Sequence, residues 1–304
     1  MKKSLVVGSL NMDLVTRVSV TPQVGETVLG NGFDQIPGGK GANQAVAMGK
    51  LGGQVAMLGC VGDDDFGVAL KSNLKACHVD AQMVKSISGM PTGLAMIMVN
   101  ESGDNSIVVV PGANYQLKAE DLSKSDFVGF DFCVAQLETP VETVERAFVL
   151  AKEAGATTVL NPAPAQGLLE NLIAHTDLLI PNETEFFTLT GYDTQCRDSL
   201  LKGAEVLYEK GVHALLITLG AQGAIYLDKE GTEIKKAGHK VDAVDTTAAG
   251  DSFIGGFVTA LAEGSDVASA MEFAMKVAAI TVTRHGAQRS LPNRQEVEGF
   301  EGVV

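Results

Sequence analysis

The chain has 304 residues, 45% of them hydrophobic, enough to bury a substantial core as two domains or as one large α/β domain. Against 23 basic residues stand 37 acidic ones, a formal net charge of −14 with no basic run, which argues against nucleic acid and anionic membrane surfaces as partners. The apolar run at the N-terminus is too short for a signal peptide and no stretch has the length of a membrane span. Cys60, Cys77, Cys133 and Cys196 lie too far apart for a metal site, so a reduced, cytoplasmic protein is expected.

Residues 4–8 read as a short buried strand. Asn11 and Asp13 follow at its C-terminal end, where open α/β sheets hold ligands; being two apart they share a side in extended chain, although an Asx-type turn would explain them equally. Alternation between residues 15 and 36, broken at 21–25, predicts two antiparallel strands. Residues 94–99 and 106–111, joined by a turn at 100–105, predict two more. These insertions, at about 14–37 and 92–113, would form a small sheet apart from the main one, a lid or a dimer contact. Residues 37–44 set three glycines around Lys40 and open a helix. The spacing is not that of a P-loop, yet such a backbone can approach a small polar ligand closely.

Further strands are expected at 55–59, 130–136, 157–160, 177–180 and 214–218. They alternate with helices at 64–76, from 141, from 183, through 200–210 and at 267–284. This order predicts a single α/β domain over 1–304, a doubly wound, mainly parallel sheet with helices on both faces. A (β/α)₈ barrel is the competing architecture, disfavoured by the hairpin-like inserts. Glu138 falls at a strand end just before a helix, where acids are common. Asn182 and Glu185, three apart at a helix start, fit a capping box without any function. Residues 218–223 form a tight glycine turn.

The stretch 245–257, Asp-Thr-Thr-Ala-Ala-Gly-Asp-Ser-Phe-Ile-Gly-Gly-Phe, leads into a helix whose apolar positions Phe253, Phe257 and Leu261 repeat every four residues. Small residues leave the first N–H groups of a helix uncovered, and such groups bind phosphate. Asp251 has two readings there. It can interact with the helix dipole from the first turn, or it can take a proton from a hydroxyl while the N–H groups hold the charge moving toward it.

In order and spacing, 38–43, 181–185, 218–223 and 245–257 resemble the motifs of the sugar kinases of the ribokinase (PfkB carbohydrate kinase) family, and the resemblance runs from Leu5 to Pro292. It implies ATP-dependent phosphorylation of D-ribose at O5. Another sugar, 2-deoxyribose foremost, is the alternative substrate, and a non-catalytic sugar-binding regulator is the rival of another class. Asp251 corresponds to the general base, and Ala248, Ala249 and Gly250 to the anion hole. Asn11, Met12, Asp13, Gly39, Lys40, Gly41, Asn43 and Glu138 match the sugar side; Met12 is bulkier than the small residue common there.

Asn182, Thr218, Leu219, Gly220, Ala221, Gln222, Gly223 and Met275 match the nucleotide cleft beside Gly250 and Asp251, with Met275 where relatives often have His or Asn. With Glu185, Asn182 resembles an Asn-x-x-Glu motif that orders Mg²⁺ largely through water. Asp245, Thr247, Thr281, Arg284, Gly286 and Ser290 fall where the family binds an activating monovalent cation, K⁺. The resemblance also makes the small sheet a lid over the sugar and the contact of a homodimer.

Overall fold

Successive residues of β1 (Lys3–Val7) leave the chain on opposite sides, Leu5 and Val7 into one apolar layer and Val6 into another. A strand buried on both faces must be covered by helices on both. That is the architecture of the computed structural model, which describes residues 1–167 and 169–302. The other strands are β2 (Asn11–Val18), β3 (Gly30–Gly38), β4 (Gln54–Gly62), β5 (Val84–Ile87), β6 (Gly93–Val99), β7 (Asn105–Val110), β8 (Phe132–Ala135), β9 (Thr157–Leu160), β10 (Leu178–Leu179), β11 (Ala214–Thr218), β12 (Ala224–Asp228) and β13 (Glu233–Lys236).

The main sheet has nine strands in the order β13-β12-β11-β10-β9-β8-β1-β4-β5. It is parallel from β11 to β5 and antiparallel at β11–β12 and β12–β13. Of the helices, α1 (Lys40–Lys50), α2 (Asp65–Ala76), α3 (Val141–Glu153), α4 (Glu170–Ala174), α5 (Glu183–Thr190), α6 (Arg197–Glu209), α7 (Ala249–Glu263) and α8 (Val267–Val282) form the two covering layers. One layer is α1, α2, α7 and α8; the other is α3 to α6. The sheet ends in two open edges, so it is not a closed barrel.

Strands β5, β12 and β13 have no counterpart in the sequence reading. They are strands of four or five residues at or next to the sheet's edges, too short for a period of two to stand out. A second sheet, β3-β2-β6-β7, stands apart from the first, with β2 and β6 parallel and its outer pairs antiparallel. Asn11 and Asp13 belong to it. They are not the tail of β1 but the start of β2, opposite Gly38 and Ile36 of β3.

The two helices that carry the glycine-rich motifs, α1 and α7, pack directly on each other. Their approach is set by Gly255 of α7, where a Cβ would lie 2.5 Å from the Ala47 Cβ and 3.1 Å from the Gln44 carbonyl oxygen. Gly255→Val should therefore push α1 off α7, costing about 1–3 kcal/mol of stability. Thermal unfolding would show it, together with a loss of any activity that needs the two helices in register.

Candidate active site

Helix α7 begins on a strained residue. Ala248 has φ 60° and ψ 11°, left-handed backbone that costs a non-glycine residue roughly 1–3 kcal/mol and is kept where the surrounding structure imposes it. The turn before it is tied down by Asp245, whose Oδ1 accepts the Thr247 N–H at 2.8 Å and whose Oδ2 accepts the Gly286 N–H at 2.9 Å. Burial alone would raise the Asp245 pKa, but the Thr247 and Gly286 donors and nearby His285 hold it below the usual carboxylate range.

The Ala249 N–H is turned back onto the Thr246 carbonyl at 3.2 Å. Among the described residues nothing accepts from the Gly250 N–H, and a Cβ on Gly250 would meet no atom within 4 Å. The first turn of α7 therefore offers uncovered donors to open space, as an anion site requires.

One residue on, Asp251 is buried and held from two directions. Asn43 Nδ2 donates to its Oδ2 at 2.9 Å and Gln44 Nε2 to its Oδ1 at 3.0 Å, both from α1. The amides are oriented in turn: Gln136 donates to Gln44 Oε1 at 2.6 Å and Gln288 to Asn43 Oδ1 at 3.1 Å. A carboxylate so fixed has its remaining lone pairs aimed, which suits a general base more than a helix-start ornament.

Glu138 does not decorate the helix that follows it. Its Oε2 accepts the Lys40 backbone N–H at 3.0 Å and the Ser9 hydroxyl at 2.5 Å, so it caps α1, which has no side-chain cap of its own. Burial works against the Lys40 ammonium, but Asp251, Glu138 and Glu185 outweigh it and raise its pKa. Half-buried Asp13 is pushed up to about 7, by burial first and then by the charges of Glu138 and Asp251. One lysine thus stands among four acids in an acidic protein.

An open cavity joins Lys40, Asn182, Glu185, Thr218, Ala248, Ala249, Gly250 and Asp251. Asn182 and Glu185 form the capping box that their spacing predicts. Both also line the cavity, so the cap and a site role coexist. Burial is the main force raising the Glu185 pKa, against the Asn182 N–H and Lys40. Thr218 meets Asn182 through a parallel bridge, and Leu219–Gly223 turns away along the same rim, with Gly220, Ala221 and Gln222 exposed.

Other expected residues lie outside the cavity. Met12 is on the opposite face of β2 from Asn11 and Asp13, buried in the apolar layer, so its bulk is not turned toward their side. Met275 is also buried in that layer and does not line the cavity. Gly39, at φ 88°, and Gly41 bring the start of α1 against Ser9 and Leu10, where a Cβ on either would fall within about 3 Å of backbone.

Around Asp245, the Thr281 hydroxyl bonds the Val277 carbonyl, the Ser290 hydroxyl bonds the Ala287 carbonyl, and Arg284 pairs with Glu296 at 2.7 Å. What these residues leave for a cation is the ionised Asp245 and main-chain oxygen. Lys50 Nζ already gathers the carbonyls of Gln288 and Leu291, at 2.8 and 2.9 Å, on the same loop. Such a donor set fits a monovalent ion better than a transition metal. Gln44, Gln136 and Gln288, and Asn161, which accepts from Gln44 Nε2 at 3.3 Å and lines the cavity, have no site role in the sequence reading; the one signal is uncharged amides within otherwise apolar or glycine-rich runs.

A model of the pfkB family of carbohydrate kinases matches residues 1–294. The chain is similar to the ribokinase of Haemophilus influenzae, with 43% identity over 303 residues and 99% of both chains covered. It is also similar to the deoxyribokinase of Salmonella typhi, with 38% identity over 298 residues and 97% of each covered. Among solved structures, the ribokinase of Arabidopsis thaliana complexed with ribose and ATP superimposes with a TM-score of 0.93 at 30% identity, covering 98% of this chain and 97% of that one.

Asp13 makes stability fall as pH rises. Its folded pKa is about 7 against 3.8 for the free carboxyl, so between those values the unfolded chain releases the proton first, and the penalty is complete above about 7. Asp13→Asn should flatten this slope and stabilise the ligand-free protein near pH 8 by a few kcal/mol. Urea unfolding at about pH 5 and about pH 8 measures both.

Proposed function

This chain belongs to the pfkB family of carbohydrate kinases, and on that premise we propose that it phosphorylates D-ribose at O5 with ATP, the reaction of a ribokinase. The observation that carries this reading is Asp251, fixed by two α1 amides one residue past an uncovered N–H at the start of α7.

The sugar hydroxyl gives its proton to Asp251 as its oxygen forms a bond to the γ-phosphorus, and the bond from that phosphorus to the ADP oxygen breaks. The N–H groups at the start of α7 meet the charge on the phosphoryl group in flight. Lys40, kept cationic by its acids, shares the cavity and offsets the field of the chain on a triphosphate. Asn11, Asp13, Asn43 and Glu138 hold the sugar, Asn182 and Thr218–Gly223 the nucleotide. Mg²⁺ entering with ATP supplies counter-charge for the phosphates. It needs few protein ligands because it keeps its waters, and Glu185 on the cavity wall suits a contact through water.

In this reading Asp245 and main-chain oxygens of the loop around Gly286 would hold an activating K⁺, which would steady the turn at Ala248. The second reading, 2-deoxyribose as substrate, draws on the likeness to a deoxyribokinase. With four free cysteines and its acidic surface, the chain fits a cytoplasmic enzyme.

The small sheet is the lid, inserted into a single kinase domain. It also forms the contact of a homodimer, because β7 is an apolar edge strand with Ile107, Val108 and Val109 exposed by 53, 61 and 49%. The double change Ile107→Asp with Val109→Asp should turn a dimer into a monomer by light scattering. A wild-type chain that is itself monomeric at micromolar concentration would end the dimer assignment.

A coupled ADP-release assay with ribose and 2-deoxyribose tests the reaction. Ribose is expected to win in kcat/KM, K⁺ to exceed Na⁺ as the buffer cation, and Asp251→Asn to lose at least ~10²-fold in kcat. Equal turnover in the variant would remove Asp251 from the base role.

A further inference from the structure

The chain passes between its two sheets close to Asn114, which sits in the turn after β7 and is 1% exposed. Its side chain makes three hydrogen bonds. Oδ1 accepts the Leu10 N–H at 2.9 Å, while Nδ2 donates to the Leu10 carbonyl at 3.2 Å and to Asn11 Oδ1 at 2.7 Å. The first two fix which way round this amide lies, because a backbone N–H can only donate and a backbone carbonyl can only accept. Nδ2 is then a donor toward Asn11, and Asn11 has to answer with its oxygen.

Room for this pair comes from Gly93, which faces Asn11 across the β2–β6 ladder. A Cβ there would lie 2.2 Å from Asn114 Nδ2 and 2.3 Å from Asn11 Oδ1. Asn11 is itself 3% exposed, and its own NH₂ group has no hydrogen-bond partner among the described residues. An amide donor left open in this way is available to a polar ligand. Asn11 and Asp13, two apart on β2, share a strand face, and Asp13 on that face feels the charge of Asp251.

We propose that Asn114 is a positioning residue that sets the polarity of the sugar site, turning the Asn11 oxygen inward so that Asn11 presents N–H donors to a sugar hydroxyl oxygen. This rests on the sugar-side reading of Asn11 given above. The strand then shows the sugar a donor at position 11 and a carboxyl acceptor at position 13, a pair that neighbouring hydroxyls can satisfy together. A sugar lacking the hydroxyl at Asn11 leaves that donor unpaired.

Three full-length variants, Asn11→Ala, Asn114→Asp and Asn114→Ala, would be compared with wild type on ribose and on a set of ribose analogues each lacking one hydroxyl. In Asn114→Asp the new carboxylate faces the Leu10 carbonyl and the Asn11 oxygen, so Asn11 has to reverse. Loss of one particular hydroxyl should cost the wild type about tenfold or more in kcat/KM, and that cost should shrink to within about threefold in all three variants, through the sugar KM and not the ATP KM.

Uniform slowing of every sugar by the Asn114 variants, with the wild-type selectivity kept, would overturn the proposal and leave Asn114 a staple between the sheets. An Asn11→Ala variant with unchanged KM for every sugar would remove Asn11 from the site, and the proposal with it. Should Asn114→Asp not fold, Asn114→Ala carries the same selectivity readout without adding a charge.

Discussion

The aim of the Asp251 carboxylate depends on two amides from a different helix, which hold both of its oxygens. Asn43 and Gln44 are neighbours on α1, and they reach both oxygens because α1 and α7 touch where Gly255 has no side chain. Much of the apolar layer on that side, from Ala45 and Met48 to Phe253 and Phe257, keeps this contact in register. Packing density, unforgiving of an added methyl group, is thereby converted into the aim of a carboxylate.

The second constraint is electrostatic. An acidic chain that handles a triphosphate must make its own local attraction, and it does so with few charges. Main-chain donors at the start of α7 face the cavity without any titratable group. Lys40, held cationic by Asp251, Glu138 and Glu185, lines the same cavity. The acids are in turn separated in role by what each touches. Glu138 is bound to the start of α1, Asp245 is fixed under the strained turn, and Asp13 is crowded enough to protonate near neutrality.

The two sheets meet where chemistry is most exacting. Gly38, Gly39, Gly41 and Gly93 all lie at this junction, and each is a place where a side chain would strike Asn11, Asp13 or the backbone at Ser9 and Leu10. The glycines let one sheet swing close to the other, and Asn114 and Glu138 replace the missing side-chain contacts with hydrogen bonds.

Much of this was legible in the chain itself, because it is written in local periods. Alternation and four-residue spacing marked most strands and helices, and the small-residue run at 245–251 marked an uncovered helix start. Residue type and spacing singled out Asp251, Lys40, Asn182 and Glu185, family resemblance gave them roles, and the cavity brings them together. What escaped are partnerships across distance: Gln44 with Asp251, 207 residues apart, Asn114 with Leu10, 104 apart, and Glu138 with Lys40, 98 apart. Strand order decides those pairs, and strand order is a property of the closed core. Met12 shows the same division, since its motif placed it at the sugar while the pleat of β2 turned it into the apolar layer. Residue types and spacing determined which chemistry this protein carries; only the packed sheets decided which side chains hold the reacting groups in place, because hydrogen bonds between distant segments exist only once burial has brought those segments together.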